Sequence, residues 1–331
     1  MNSYTSSSSN FRRFNYCVII SSIIVTAIVL SSNYFIDPYA VFGSSELELG
    51  EKTNERHYKT KHILNVPTYD TWIMGSSRPD IIPPPAVSSL LENNHIYNYS
   101  FFAARQTEVL QLLEFYSKHH PEKLPRKLYY GIEYFTFKDD VASEPSYARS
   151  FPPEVLNESV LKYYFGAITS NSIIDVFGKY INHSNQPSIR FNRIHGHYQI
   201  KKYDDLIATS HDQHAQSIIN TPLHTQQTKS WSNKQFEAFG LLIKLIKAND
   251  IELTVFTNPM YEPYLETFSL DDRTEWHKRI ESTLKEVSYY DFSTHVEITQ
   301  NPYLWYDVKH YFPSVGKYMF EHMTGSVLSE I

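Results

Sequence analysis

Residues 71–79, with the sequence TWIMGSSRP, form the feature that most restricts how this chain can fold. An apolar run of strand length ends at Gly75, two serines follow, and Pro79 is suited to the first turn of a helix. The pattern predicts a strand, a tight turn and a helix in succession. A serine in such a turn lies at the carboxyl edge of a sheet, where backbone N–H groups point towards the same crevice. That position suits a nucleophile, although a serine that only caps a helix fits the same pattern.

The segment 305–313, WYDVKHYFP, offers partners for such a serine. Asp307 precedes His310 by three residues, just ahead of a predicted last helix over residues 314–328. In one turn-like segment, this spacing lets the carboxylate accept the Nδ1 hydrogen of the imidazole, which leaves Nε2 free to take a proton from a serine. A surface ion pair in a loop is the alternative interpretation.

A Gly-x-Ser after the first strand, paired with Asp-x-x-His before the last helix, resembles the SGNH (GDSL-type) hydrolase superfamily. The resemblance is closest to its membrane-anchored bacterial branch, which includes the acyltransferase-like proteins of alginate acetylation and teichoic-acid D-alanylation. It covers about residues 68–137 and 251–331. It implies a three-layer α/β/α fold of flavodoxin-like type with a parallel sheet, and a triad of Ser77, His310 and Asp307 that needs no cofactor.

One departure from that family lies after the third predicted strand, where Glu133 stands in the place of an asparagine that donates to the oxyanion. A carboxylate cannot donate a hydrogen bond unless it is protonated. The oxyanion hole is therefore expected to use the Ser77 N–H and a backbone N–H within residues 102–104. The side chains of Asn98 and Asn258 are further candidates.

Two arginines close to these positions have two interpretations each. Arg78, next to the expected nucleophile, and Arg105 could hold an anionic sugar or a phosphate. Ion pairs with Glu133 or Glu108 are the alternative, in which case Glu133 serves as a structural acceptor.

The first part of the chain predicts a membrane anchor. Arg12 and Arg13 precede an uncharged stretch at residues 16–35, which is about long enough to span a bilayer. The positive-inside bias places residues 1–14 in the cytoplasm and the main domain outside it. The run lacks a clear small-x-small cleavage site, so an uncleaved anchor over residues 15–36 is favoured over a signal peptide.

After a polar linker at residues 37–67, strand and helix patterns alternate along the chain. The predicted strands are residues 69–74, 96–99, 127–134, 251–257 and 287–292. The predicted helices are residues 87–92, 104–119, 234–248 and 271–286, besides the last one. Such alternation implies a parallel sheet with right-handed crossovers, here within one domain over residues 68–331.

Residues 139–231 break this alternation and are expected to form an insertion that caps the crevice, with short helices at residues 155–165 and 172–181. Its histidines include His195, His197, His211, His214 and His224. Two pairs have spacings that could ligate a metal. No cysteine or tight acidic set accompanies them, so solvated loop histidines are favoured and no metal site is expected.

The formal charge of −6 at pH 7 argues against a nucleic-acid-binding protein. The resemblance implies a serine acyltransferase or esterase that modifies a cell-envelope polysaccharide in the periplasm or at the cell surface. A polytopic membrane acyltransferase is the expected partner that supplies the acyl group. The alternative is a non-catalytic scaffold or carbohydrate-binding subunit that keeps the fold while Glu133 replaces the oxyanion donor.

Overall fold

A computed structural model describes residues 5–37, 39–43, 53–66, 68–92, 95–138, 149–169, 190–224 and 231–326. It has an α/β domain built on a five-stranded parallel sheet, with a long apolar helix ahead of it. The helix predicted at residues 172–181 lies outside the described residues.

Helix α1 spans Thr5–Ile36, so helical structure begins earlier than the predicted anchor. An 18-residue window within its segment Asn10–Ile36 has a mean hydropathy of 2.1 and is not buried, and by length and composition the segment can cross a bilayer. Asp37 closes the turn that follows, where its carboxylate accepts backbone N–H groups of residues 41–43 at 2.8, 2.9 and 2.8 Å. The helix ends here because helical backbone angles are disfavoured for a residue that precedes proline, as Asp37 precedes Pro38.

The sheet has the strand order β2-β1-β3-β4-β5, with all neighbouring strands parallel. Its strands are β1 (Thr71–Met74), β2 (Ile96–Asn98), β3 (Lys127–Ile132), β4 (Glu252–Thr257) and β5 (Ser288–Asp291). The chain moves from β1 outwards to β2 and then back past β1 to β3. This reversal opens a crevice at the carboxyl ends of β1 and β3, where ligands bind in open α/β sheets.

Helices cover both faces of this sheet. The ring of Tyr129 lies 4.8 Å from that of Phe320, whereas Tyr130 lies 6.3 Å from Phe239. Because successive strand residues point to opposite faces, the helices that carry these two phenylalanines lie on opposite sides. The longer helices after α1 are α2 (Glu55–Asn65), α3 (Gln106–His119), α4 (Val160–Thr169), α5 (Lys201–Ile219), α6 (Asn233–Ala248), α7 (Leu270–Thr283) and α8 (Pro313–Thr324).

Several predicted helices differ in extent from those observed. The one expected at residues 87–92 is a single turn, Pro84–Val87. The one expected at residues 155–165 is divided into Pro153–Leu156 and α4 by Asn157, whose φ is 54°. Further one-turn helices are Glu262–Leu265 and Val296–Thr299, and two short hairpins pair Arg190–Phe191 with Tyr198–Gln199 and Trp305–Asp307 with His310–Tyr311.

The predicted linker at residues 37–67 contains a helix of the folded domain. The side chain of Asn54 caps α2 by accepting the His57 N–H at 3.1 Å. Arg56 and Lys59 of this helix are almost completely buried. The sequence of this segment is polar, but its charged side chains are paired inside the protein. A hydrophobicity pattern does not reveal such pairing.

Candidate active site

The three residues of the predicted triad meet at the carboxyl edge of the sheet. Ser77 Oγ lies 2.9 Å from His310 Nε2. His310 Nδ1 lies 2.9 Å and 3.1 Å from the two carboxylate oxygens of Asp307. These are hydrogen-bonding distances, and together they connect the carboxylate, the imidazole and the hydroxyl in one chain.

The loop between the last two short strands holds the acid of this chain in place. Asp307 Oδ1 accepts the backbone N–H groups of Lys309 at 2.7 Å and His310 at 2.9 Å. Burial alone would raise the pKa of Asp307, but the hydrogen bond and charge of His310, with these two N–H groups, outweigh it and the pKa is lowered. The carboxylate therefore stays ionised and can stabilise a protonated imidazole.

The turn that carries Ser77 is fixed by a close approach to β3. Gly75 has a φ of 151°, and a Cβ there would lie 2.5 Å from the Gly131 carbonyl oxygen and 2.7 Å from Pro79 Cγ. Only glycine allows this contact between the turn and the strand. On the other side, the buried Tyr198 hydroxyl donates to the Ser77 carbonyl at 2.9 Å, so the insertion also supports the turn.

Arg78 forms a structural link, which corresponds to the ion-pair alternative of its two interpretations. The side chain is only 2% exposed, its Nε donates to the Lys309 carbonyl at 2.6 Å, and its Nη1 forms an ion pair with the fully buried Glu133. Of the two ion pairs considered for Glu133, the one with Arg78 is present. The bond to Lys309 joins the Ser77 turn to the loop that carries the acid and the base, and the pair with Glu133 joins this turn to the end of β3.

Asn98 and Asn258, the two predicted side-chain donors to the oxyanion, donate to backbone carbonyls in this structure. Asn98 is fully buried, and its Nδ2 donates to the carbonyls of Pro79 at 2.7 Å and Ile82 at 2.9 Å. Asn258 is likewise buried, with Nδ2 at 3.3 Å from the Ile132 carbonyl and Oδ1 accepting from Tyr311. Both amides brace the loops around the site because strand ends leave backbone carbonyls that need donors.

Two backbone N–H groups remain for an oxyanion. In the stretch 102–104, the Phe102 N–H donates to Glu55 and the Ala104 N–H to the Phe101 carbonyl. The N–H groups of Ser77 and Ala103 have no acceptor within the described part of the chain.

Backbone hydrogen bonds tie the stretch before Ala103 to the strand and turn before Ser77. The Tyr99 N–H donates to the Ile73 carbonyl at 2.7 Å and the Phe101 N–H to the Gly75 carbonyl at 3.1 Å. Ala103 then lies in the turn that the Ala104 N–H closes by donating to the Phe101 carbonyl at 3.2 Å. Its φ of 52° is rare for a residue other than glycine, and such backbone angles are concentrated at functional sites.

Arg105 lies at the start of α3, against the same aromatic ring as Arg78. Its guanidinium carbon is 5.6 Å from the centre of the Phe135 ring, and that of Arg78 is 5.7 Å from the same ring. Unlike Arg78, it is partly exposed. Glu108, an expected ion-pair partner, binds Arg56 instead, through hydrogen bonds of 2.8 and 3.0 Å.

In the described part of the insertion, His197, His211 and His214 serve packing and backbone contacts. His211 and His214 on α5 reach the carbonyls of Tyr303 at 3.1 Å and Trp305 at 2.9 Å, just before the acid. His197 is buried, which with the charges of His195 and Lys59 lowers its pKa to about 4. His224 is exposed. Across the described ranges, no three His, Cys, Asp or Glu side chains are grouped to hold a metal ion.

Sequence reasoning missed Tyr198 and the charged residues of α2. Tyr198 lies in a polar tract without strand or helix periodicity, so nothing in its surroundings indicates a contact with Ser77. Comparison of the sequence with models of known protein families and with curated proteins gave no match.

Proposed function

We propose that this protein is a membrane-anchored serine acyltransferase or esterase of SGNH type, which acts on a polysaccharide of the cell envelope. The observation that carries the proposal is the hydrogen-bonded chain from Ser77 through His310 to Asp307. Serine, histidine and aspartate in this order form the machinery of acyl transfer on several unrelated folds.

In the proposed reaction, His310 Nε2 removes the proton of Ser77 while Oγ attacks the carbonyl carbon of an ester. The negative charge that develops on the carbonyl oxygen is stabilised by the N–H groups of Ser77 and Ala103. The protonated imidazole, held by Asp307, gives its proton to the departing alcohol, and an acyl-serine remains. His310 then takes a proton from a sugar hydroxyl or from water, whose oxygen attacks the acyl carbon, and it gives that proton to Ser77 Oγ as the bond between Oγ and the acyl carbon breaks.

The apolar helix α1 supports a location at the membrane. With Arg12 and Arg13 on one side of it, the domain lies outside the cytoplasm, in the periplasm or at the cell surface. A polytopic membrane acyltransferase is the proposed partner that supplies the acyl group. Arg105, partly exposed near the Ser77 turn, is the candidate for binding an anionic part of the polymer.

One observation favours a second function, that of a non-catalytic scaffold or carbohydrate-binding subunit. The position at which the resembled family has an oxyanion-donating amide holds Glu133, whose carboxylate is paired with Arg78. Such a site has one donor fewer, which weakens stabilisation of the oxyanion.

A fluorophosphonate probe separates the two functions. An enzyme is labelled covalently at Ser77, and the labelling is lost in Ser77→Ala and His310→Ala. A related serine hydrolase in the same reaction serves as the positive control. Absence of labelling under conditions that label the control favours the scaffold.

A further inference from the structure

Arg56, in the helix that sequence patterns assign to a linker, contacts the backbone next to the proposed oxyanion donor. The side chain is 4% exposed, and its Nη2 donates to the Phe102 carbonyl at 3.0 Å. The guanidinium is oriented by Glu108, which accepts from Nε at 2.8 Å and from Nη2 at 3.0 Å. Arg56 therefore holds this carbonyl with a rigid, charged donor.

The Phe102 carbonyl and the Ala103 N–H belong to the same peptide group. In a planar trans peptide, the C=O and N–H bonds point in opposite directions. A carbonyl fixed on α2 therefore turns the Ala103 N–H away from α2. The positively charged guanidinium that donates to this oxygen also polarises the amide, because hydrogen bonds in a chain strengthen one another.

Two neighbouring residues of α2 hold the same loop. Glu55 accepts the Phe102 N–H at 3.2 Å, and the buried Lys59 donates to the Ser100 carbonyl. Lys59 in turn pairs with Asp80, in the helical turn after Ser77, at 2.6 Å. The helix thus connects the loop at residues 100–103 with the nucleophile turn through buried charged groups, which are costly to bury unless they are paired.

We infer that Arg56 is a positioning residue of the active site: it fixes and polarises the Ala103 peptide so that its N–H stabilises the oxyanion. The inference rests on the proposed function, and it gives α2 a part in the chemistry. It predicts that loss of Arg56 slows reactions that pass through an oxyanion and leaves unchanged those that do not.

The single cysteine of the chain makes this difference measurable, because its removal leaves an introduced thiol as the only one. In the full-length Cys17→Ser/Ser77→Cys parent, held in lipid nanodiscs, the thiol at position 77 reacts with two probes. Iodoacetamide alkylates the sulfur by displacing iodide, which requires His310 to take the thiol proton but creates no oxyanion. p-Nitrophenyl acetate acylates the same sulfur through a tetrahedral oxyanion and releases p-nitrophenolate.

Adding Arg56→Met to this parent should slow acylation roughly tenfold to a hundredfold, which is less than the ~10²–10³-fold loss of rate typical when an oxyanion donor is removed outright. The rate of alkylation should stay within about twofold of the parent rate. Arg56→Lys, which keeps a charged donor, should recover part of the loss. Lys61→Met is the matched control, because Lys61 lies on the same helix, pairs with Glu154 at 2.7 Å and is about one-third exposed; both rates should stay at the parent value.

Equal slowing of both reactions by Arg56→Met, or no change in either, overturns the inference, because the first outcome indicates general distortion and the second no role. A parent that is alkylated but never acylated contradicts the proposed function itself, and the inference falls with it.

Discussion

Replacing Arg78 with methionine should destabilise the domain and slow the reaction of Ser77 at the same time. The Arg78 guanidinium pairs with Glu133, which is fully buried, and donates from Nε to the Lys309 carbonyl at 2.6 Å. Methionine leaves the Glu133 charge buried without its partner. Removing one member of a buried ion pair costs about 3–5 kcal/mol, and we predict a loss of that size in the free energy of unfolding.

A double variant separates the two effects. In Arg78→Met/Glu133→Met the unpaired charge is gone, and apolar replacement of a buried pair is often close to neutral. What remains is the lost hydrogen bond to Lys309, about 1.5–3 kcal/mol for a charged donor. The double variant should therefore be more stable than Arg78→Met alone, while labelling of Ser77 by a fluorophosphonate stays slow in both.

Urea unfolding followed by the fluorescence of the four buried tryptophans, Trp72, Trp231, Trp276 and Trp305, measures the stability of the three proteins. A double variant no more stable than Arg78→Met would show that the Glu133 charge is not what destabilises the single variant. Full labelling in the double variant would refute the role of Arg78 in holding the loop that carries His310.

Three further predictions concern the triad and the anchor. Asp307→Asn should lower turnover by about 10⁴-fold with the fold intact. Because the pKa of Asp307 in the folded state lies below its ordinary value of 3.8, the ionised carboxylate stabilises the fold above pH 3.8, and this stabilisation should be lost as the pH falls through the lowered pKa. Asp307→Asn should remove this contribution from the acid unfolding curve. Ser77→Ala should abolish acylation, whereas Ser76→Ala should keep it. Ser76→Ala should also change the free energy of unfolding by less than about 1 kcal/mol, since the buried Ser76 Oγ has no hydrogen-bond partner within the described residues. Equal loss of acylation in both variants would give Ser76 a part in the chemistry. A reporter fused after Ile331 should be active only outside the cytoplasm, and cytoplasmic activity would reverse the orientation.

The strands of the sheet and the segments that carry Ser77, Asp307 and His310 have local signals in the sequence, whereas the roles of these three residues come from the resemblance to the SGNH superfamily. The buried run at residues 71–74 and the glycine after it identify β1 and its turn, and the spacing of Asp307 and His310 fits one short loop. The α/β class with a parallel sheet is confirmed. The triad geometry depends on bringing residues 77 and 310 together, which the order of strands accomplishes.

The surroundings of the triad were not predictable from the same patterns. Asn98 and Asn258 stand at strand ends, as oxyanion donors would, but which carbonyls their amides meet depends on tertiary structure. In α2, charged residues are buried because partners from distant segments compensate them, Arg56 with Glu108 and Lys59 with Asp80. A single sequence gives no indication of such pairs, so polarity was interpreted as exposure.

The central claim, that Ser77 forms an acyl-enzyme, is tested most directly by the mass of the full-length protein after mixing with p-nitrophenyl acetate at mildly acidic pH, where deacylation is slow. The account predicts a gain of one acetyl group that proteolysis assigns to the peptide containing Ser77, and no gain in Ser77→Ala. An unchanged mass, or an acetyl group on another residue with Ser77 unmodified, would contradict it.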